Sequence, residues 1–190
     1  MCARCIMDTS DPDISFDEQG ICNHCTSFID RLQSRQYVKG ESEAIWSHYV
    51  EVIKQHGKGK QYDCIVGISG GVDSCYTAYL CKKHGLRALL IHMDNGWDTE
   101  IAVNNIITLA KELDFDYMSY VLDWEEFKNI QLAYLKASTV DLEMPTDVAI
   151  LACIYEVAAK HKIKYIISGG NLSSEGILPL HWGYHSYKDM

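Results

Sequence analysis

The sequence has 190 residues, of which 47% are hydrophobic and 23% are charged, and its formal net charge is −9. These values fit one compact α/β domain with a small appendage and exclude a disordered chain. The acidic balance argues against a broad nucleic-acid surface, because phosphate contacts need clustered Lys and Arg. No apolar run approaches the ~20 residues of a membrane span. We therefore expect a cytoplasmic protein.

The first predicted element is a metal site made of four cysteines. Cys2 and Cys5 form one C-x-x-C pair, and Cys22 and Cys25 form a second pair after an interval of sixteen residues. This spacing is typical of a Zn²⁺ site, with disulfides, an iron–sulfur cluster or a redox pair as alternatives, and His24 could replace one thiolate. Because the segment is too short for its own core, we assign the zinc a structural role. The remaining cysteines are expected to be buried as small hydrophobic residues: Cys64, Cys75, Cys81 and Cys153.

The chain divides into a zinc knuckle (residues 1–27), a helical linker region (28–60) and an α/β domain (61–190). Apolar residues at helical spacing between Phe28 and Ile53 predict helices that end at Gly57. From Asp63 onward strands and helices alternate, which predicts a doubly wound parallel sheet. The predicted elements are strand Cys64–Ile68, helix Asp73–His84, strand Ala88–Met93, helix Thr99–Leu113, strand Tyr117–Leu122, helix Trp124–Ala137, helix Thr146–His161 and strand Tyr165–Ser168.

Ligands of such sheets bind beyond the carboxyl ends of the strands, so three loops are candidates: Ser69–Ser74, Asp94–Thr99 and Gly169–Glu175. The first loop reads Ser-Gly-Gly-Val-Asp-Ser and joins an apolar strand to a helix. At such a junction, unpaired N–H groups and the positive end of the helix dipole favour a phosphate. The loop lacks the lysine of a Walker motif. A different type of nucleotide loop is indicated.

The pattern S-G-G-x-D-S resembles the pyrophosphate-binding loop (PP-loop) of the N-type ATP pyrophosphatases, which cleave ATP to AMP and pyrophosphate. The resemblance implies an adenine nucleotide α-hydrolase-like fold that uses ATP and Mg²⁺. Asp73 is the expected Mg²⁺ ligand and, with Ser74, a catalytic candidate, while an N-cap role is the alternative for Asp73. Both serine hydroxyls are expected to donate to phosphate oxygens. The expected nucleotide-binding residues are Ser69, Gly70, Gly71, Val72, Asp73 and Ser74.

The other two loops supply further candidates. At the end of the second strand, the resemblance implies contact of Met93 and Asp94 with adenosine, against the alternative that Asp94-Asn95-Gly96 is only a turn. After the last strand, two glycines and an amide are expected to approach the nucleotide or the substrate: Gly169, Gly170 and Asn171. Glu175 is a catalytic candidate that would orient substrate or ammonia, and a solvated loop glutamate is its alternative.

Three segments together resemble the N-acetyl sugar amidotransferases of surface-polysaccharide and nonulosonate (pseudaminic acid type) synthesis. The segments are Cys5–Ser10 with its cysteine frame, the Ser69–Ser74 loop and Ser168–Pro179, and Trp182-Gly183-Tyr184 also fits. Such enzymes adenylate a sugar acetamido group with ATP and displace AMP with ammonia, which gives an acetamidino group for lipopolysaccharide or flagellin glycans. The resemblance implies a nucleotide-sugar substrate and a separate glutaminase subunit, similar to that of imidazole glycerol phosphate synthase, as the ammonia source.

Several alternatives stay open. A tRNA-thiolating PP-loop enzyme is the main one, although the acidic balance and the lack of a later C-x-x-C pair count against it; a non-catalytic binding module is another. Relatives continue beyond this sequence, so we expect the last domain to be incomplete at its carboxyl end. No membrane or nucleic-acid partner is expected, and a homo-oligomer stays open. Four residues are candidates for sugar contact or for aromatic packing: Trp97, Trp182, Tyr184 and His185.

Overall fold

The computed structural model describes residues 1–35, 41–139 and 141–171. By its internal contacts the chain divides into two compact units. One unit contains residues 1–42 and those from 170 onward, and the other contains residues 43–169. The division at residues 27 and 60 that the sequence suggests stays a prediction.

The described elements alternate between helix and strand as the sequence predicts. They are α1 (Asn23–Arg35), α2 (Glu41–Gly57), β1 (Cys64–Gly67), α3 (Val72–Lys83), β2 (Ala88–Asp94), α4 (Glu100–Glu112), β3 (Asp116–Val121), α5 (Trp124–Ala137), α6 (Met144–Lys160) and β4 (Ile166–Ile167). In residues 43–169 every predicted strand and helix is confirmed, with ends that differ by one or two residues. None of the described helices combines the length and the apolar character that a membrane crossing needs.

The four strands form one parallel sheet with the order β3-β2-β1-β4. Val66 of β1 pairs with Leu90 of β2, and Ile65 of β1 pairs with Ile166 of β4. The chain thus runs outward from β1 to β3 and then crosses back to place β4 on the other side of β1. This reversal beside β1 is the topological switch point, where sheets of this type bind their ligands.

Successive side chains of a strand point to opposite sides of the sheet, so the apolar strands give the sheet two apolar faces. Helices cover both faces. On one face Val66 and Leu90 pack with residues of α3 and α4. On the other face Ile65 and Leu89 pack with residues of α6. The predicted doubly wound parallel sheet is confirmed. Three of the later cysteines are buried in these cores as expected, namely Cys64, Cys81 and Cys153, while Cys75 is half-buried.

Polar side chains form hydrogen bonds at the amino ends of the strands, which is the end of the sheet opposite the candidate loops. The buried Asp63 carboxylate accepts hydrogen bonds from the Arg87 side chain at 2.5 and 3.0 Å and from the Arg87 backbone N–H at 2.8 Å. At the start of β3, the Tyr62 hydroxyl donates to Asp116 at 2.7 Å. Burial and the Asp116 carboxylate raise the pKa of Tyr62 to about 12. These contacts belong to the scaffold rather than to the candidate site.

The amino-terminal unit is a pair of turns followed by α1. The Asp11 carboxylate accepts from the backbone N–H of Asp13 at 3.1 Å, and the Asp17 carboxylate accepts from that of Gln19 at 2.9 Å. The interval between the two cysteine pairs therefore contains two aspartate-supported turns. These turns bring the two C-x-x-C pairs together.

Candidate functional site

The Ser69–Ser74 loop joins β1 to α3 and is closed by its own serines. The Ser74 hydroxyl accepts from the Ser69 backbone N–H at 3.2 Å and donates to the Gly71 carbonyl at 3.1 Å. The two serine hydroxyls lie 3.2 Å apart. Because the proton of Ser74 goes to Gly71, Ser69 is the donor between the two hydroxyls. In this arrangement both hydroxyls brace the loop.

The first turn of α3 presents backbone N–H groups at the mouth of the loop. Gly71 is the N-cap, so the alternative that Asp73 caps the helix is wrong. The N–H groups of Val72, Asp73 and Ser74 have no acceptor within the helix, which is the usual arrangement for binding an anion. Within the described ranges the exposed Asp73 carboxylate has no hydrogen-bond or ion-pair partner. A free carboxylate beside a phosphate site is a suitable ligand for Mg²⁺.

The loop lies directly against α4. Gly70 has a φ of +76°, and the backbone of Ala102 occupies the place that a Cβ at Gly70 would take. Asn105 on the next turn donates from Nδ2 to the Gly70 carbonyl at 3.1 Å. Both the backbone conformation and the close contact require glycine at this position.

The last strand brings Gly169 to the first loop. A Cβ at Gly169 would lie 3.0 Å from the carbonyl carbon of Asp73 and 3.1 Å from the backbone nitrogen of Ser74. Gly169 is therefore placed beside the loop, and its approach to the nucleotide or the substrate stays a prediction. Gly170 and Asn171 belong to the other compact unit. The remaining candidates lie outside the described residues: Glu175, Trp182, Tyr184 and His185.

The loop after β2 is shaped by its own side chains. Met93 is buried in the strand, and the Asp94 carboxylate accepts from the Gly96 backbone N–H at 2.9 Å. The turn that was the alternative for Asp94-Asn95-Gly96 is present, and the predicted contact with adenosine stays a prediction. Trp97 is 64% exposed, and its indole N–H donates to Gln131 at 2.8 Å. An exposed indole in a fixed orientation lies in this loop.

Sequence reasoning missed a polar bridge next to the site. His92 is buried in β2, with Nδ1 3.0 Å from the Ile68 carbonyl and Nε2 3.0 Å from an Asp98 carboxylate oxygen. The sequence carried one signal for it, because His92 is the only polar residue inside the apolar run Ala88–Met93. Its partners could not be read from that signal.

The four predicted metal ligands form one cluster. Their Sγ atoms all lie within 4.8 Å of one another, with Cys2 and Cys25 3.9 Å apart and Cys5 and Cys22 3.8 Å apart. Tetrahedral zinc with Zn–S bonds of about 2.3 Å needs sulfur atoms about 3.8 Å apart. The four thiols are free, which excludes the disulfide alternative because an S–S bond is about 2.05 Å long. The cluster can hold zinc.

Hydrogen bonds favour the thiolate form of Cys2, whereas burial raises the pKa of Cys22 and of Cys25. The backbone N–H groups of Arg4 and Cys22 donate to Cys2 Sγ at 3.4 and 3.2 Å. Burial works to raise the pKa of Cys2, but backbone hydrogen bonds outweigh it and lower that pKa to about 6. His24 lies outside the cluster, with Nε2 2.6 Å from Asp11 Oδ2. The ligand set is therefore four cysteines.

A parallel sheet with a glycine loop opening a helix at its switch point defines a PP-loop α/β domain. A model of the NAD synthase family matches residues 45–177, and the chain belongs to that family. PP-loop enzymes of this kind use ATP and Mg²⁺ and form carbon–nitrogen bonds. The superfamily and the fold that the sequence resembles are thus confirmed.

Individual proteins match parts of the chain. The NH3-dependent NAD synthetase from Campylobacter jejuni, solved in complex with the nitrate ion, superimposes with a TM-score of 0.50 and 20% identity, over 69% of this chain and 57% of that chain. At that identity the likeness shows the fold alone.

Two bacterial enzymes share a shorter segment. The tRNA-specific 2-thiouridylase MnmA of Mesomycoplasma hyopneumoniae is 38% identical over 64 residues, which are 34% of this chain and 17% of that protein. The corresponding enzyme of Polaromonas naphthalenivorans is 46% identical over 57 residues, which are 28% of this chain and 14% of that protein. The chain thus spans less than a fifth of the length of these curated relatives.

Proposed function

We propose that the protein is an ATP-dependent N-acetyl sugar amidotransferase. In the proposed reaction the acetamido oxygen of a nucleotide-linked sugar attacks the α-phosphorus of ATP, and pyrophosphate leaves. Ammonia then attacks the activated carbon, the C–O bond breaks, and AMP leaves with the former amide oxygen. The products are an acetamidino sugar, AMP and pyrophosphate.

The observation that carries the proposal is the meeting of the Ser69–Ser74 loop with Gly169 at the switch point. Gly169 belongs to Ser168–Pro179, another of the three segments that resemble the sugar amidotransferases. Membership of a family whose enzymes use ATP and form carbon–nitrogen bonds supports the type of reaction. The four-cysteine cluster supports the resemblance of the third segment, Cys5–Ser10 with its cysteine frame.

In this mechanism the chain's own groups hold the leaving pyrophosphate. The N–H groups of the first turn of α3 would receive its oxygens, and the Asp73 carboxylate would hold Mg²⁺ against them. Bound Mg²⁺ would offset the charge that develops on the leaving group. Such preorganised donors act mainly on the transition state. Glu175 is proposed to orient the substrate or ammonia, and a separate glutaminase subunit is proposed to supply the ammonia.

The test uses Mg-ATP, ammonium chloride and a panel of UDP-linked diacetamido uronates and nucleotide-linked nonulosonates. We expect AMP to form together with a sugar in which NH replaces one amide oxygen, as read by mass spectrometry. If the acetamido oxygen is labelled with ¹⁸O, the label should appear in AMP, because that oxygen attacks phosphorus. The Asp73→Asn variant should lose both products.

The second candidate is tRNA thiolation, which the similarity to the 2-thiouridylases favours. It predicts AMP only when tRNA and a sulfur donor are present. That outcome, with every sugar unchanged, would overturn the proposed amidotransferase.

A further inference from the structure

His92 is a buried histidine that links two loops of the sheet. It lies in the middle of β2, only 6% exposed. Its Nδ1 is 3.0 Å from the carbonyl of Ile68, which immediately precedes the Ser69–Ser74 loop. Its Nε2 is 3.0 Å from Oδ2 of Asp98, in the loop that follows β2. One ring therefore contacts the segments leading into both loops.

The chemistry of the two partners limits how the ring can bond to both of them. A carbonyl and an ionised carboxylate both accept hydrogen bonds and donate none. A neutral ring with one N–H can satisfy only one of them. Both contacts are hydrogen bonds when His92 and Asp98 hold two protons between them, either as imidazolium with carboxylate or as neutral imidazole with carboxylic acid. An unmet acceptor at the buried contact with Ile68 would be costly, so this pairing matters to the local structure.

The bridge reaches the PP-loop from two directions. Through Ile68 it orients the last peptide before Ser69. Through Asp98 it reaches Thr99, the N-cap of α4. The first turns of α4 in turn hold Gly70, through the Asn105 hydrogen bond and the close approach of Ala102.

We propose that His92 and Asp98 are positioning residues for the nucleotide site. They hold the PP-loop and the start of α4 in the arrangement in which the loop N–H groups receive the pyrophosphate end of ATP. This inference rests on the ATP use of the proposed function, and it assigns neither residue a contact with the reacting atoms.

The test measures the dissociation constant for Mg-ATP by isothermal titration calorimetry, without a sugar. We expect Asp98→Leu and His92→Leu each to raise that constant about tenfold, because each removes one partner of the part-buried hydrogen bond between them. Asp98→Asn should bind within about threefold of wild type. The reason is that its amide N–H can donate to Nε2 while Nδ1–H donates to Ile68. If Asp98→Asn keeps its affinity for Mg-ATP, the bridge needs a hydrogen bond at this position and does not need a negative charge.

A matched control lies at the opposite end of the sheet. Asp116, like Asp98, is a carboxylate hydrogen-bonded to a ring side chain, Tyr62, and it also accepts from Gln61 at 3.3 Å. Asp116→Leu should lower the melting temperature and leave the affinity for Mg-ATP unchanged.

The positioning role is overturned if folded Asp98→Leu binds Mg-ATP as wild type does, if Asp98→Asn is as weak as Asp98→Leu, or if Asp116→Leu weakens binding equally. If His92→Leu does not fold, the affinities of the two Asp98 variants for Mg-ATP test the positioning role. Absence of amidination with the expected affinities intact would instead refute the proposed sugar chemistry alone.

Discussion

At the scale of single residues, Gly169 sets how closely β4 and the PP-loop approach each other. A methyl group there would lie 3.0 Å from the Asp73 carbonyl carbon, inside ordinary contact distance. We expect Gly169→Ala to displace the loop by a few tenths of an ångström and to lower kcat/KM for ATP by about tenfold, less than the roughly 10²-fold cost of a 1 Å misplacement. Steady-state AMP formation would measure this effect.

Gly67→Ala is the control for this substitution. Gly67 ends β1, and a Cβ there would meet only the Cδ1 atom of Ile154 at 3.2 Å. Because the end of a side chain can move, we expect a small loss of stability and an unchanged KM for ATP. Equal losses of kcat/KM in both variants would show that Gly169 acts through general stability.

Some residues of the site could be predicted because they form motifs of residues that are close together in the sequence. The glycine loop and the two C-x-x-C pairs each lie within a few consecutive positions, so their chemistry was visible in the sequence. The bridge between His92 and Asp98 was not, because it depends on where a loop passes over a buried strand. The bracing bonds of Ser74 were likewise invisible, since its hydroxyl suits both a phosphate and a carbonyl acceptor.

At the scale of elements, α4 and α5 both begin at a residue whose side chain caps the helix, and α4 also contacts the Ser69–Ser74 loop. Thr99 Oγ1 accepts from the Ala102 N–H at 3.2 Å, and Asp123 Oδ1 accepts from the Glu126 N–H at 2.9 Å. Replacing either cap with alanine should cost about 1 kcal/mol of unfolding free energy, measurable by urea denaturation. Only Thr99→Ala should also weaken Mg-ATP binding, because the first turns of α4 support Gly70.

The Asp123→Ala variant therefore serves as the matched helix control. If it weakened Mg-ATP binding as much as Thr99→Ala, loss of stability rather than position would explain both results.

The identity of each strand and helix could be predicted, whereas their arrangement could not. Apolar runs such as Cys64–Ile68 and the helical spacing after Pro145 are local signals, and the structure confirms them within one or two residues. The pairing of Ile65 with Ile166 joins segments a hundred positions apart. Alternation of strands and helices predicts a parallel sheet but leaves the order of its strands undetermined.

At the scale of the whole molecule, the two compact units are stabilised by different interactions. Residues 43–169 bury two apolar cores, while the described amino-terminal unit has a cluster of buried cysteines with few apolar neighbours. We expect Cys22→Ser to reduce bound zinc from about one ion per chain to nearly none. Residues 1–35 should then become sensitive to protease while the α/β unit stays resistant.

Cys153→Ala is the control, because this cysteine is buried in the α6 core and lies outside the metal cluster. It should keep its zinc, as measured by atomic absorption, and keep residues 1–35 protected. Retention of zinc by Cys22→Ser would contradict the assignment of the four-cysteine site.

The position of β4 also has a consequence for synthesis. On the ribosome, the Ser69–Ser74 sequence emerges long before Ile166, although β4 pairs with the very strand that leads into that loop. Until Ile166 and Gly169 appear, β1 has an unpaired edge, and exposed strand edges invite wrong partners. A nascent chain therefore cannot complete the strand pairing of β1 until residues 166 and 167 have been synthesised. Translation order itself leaves the Ser69–Ser74 loop without its Gly169 neighbour until late in synthesis.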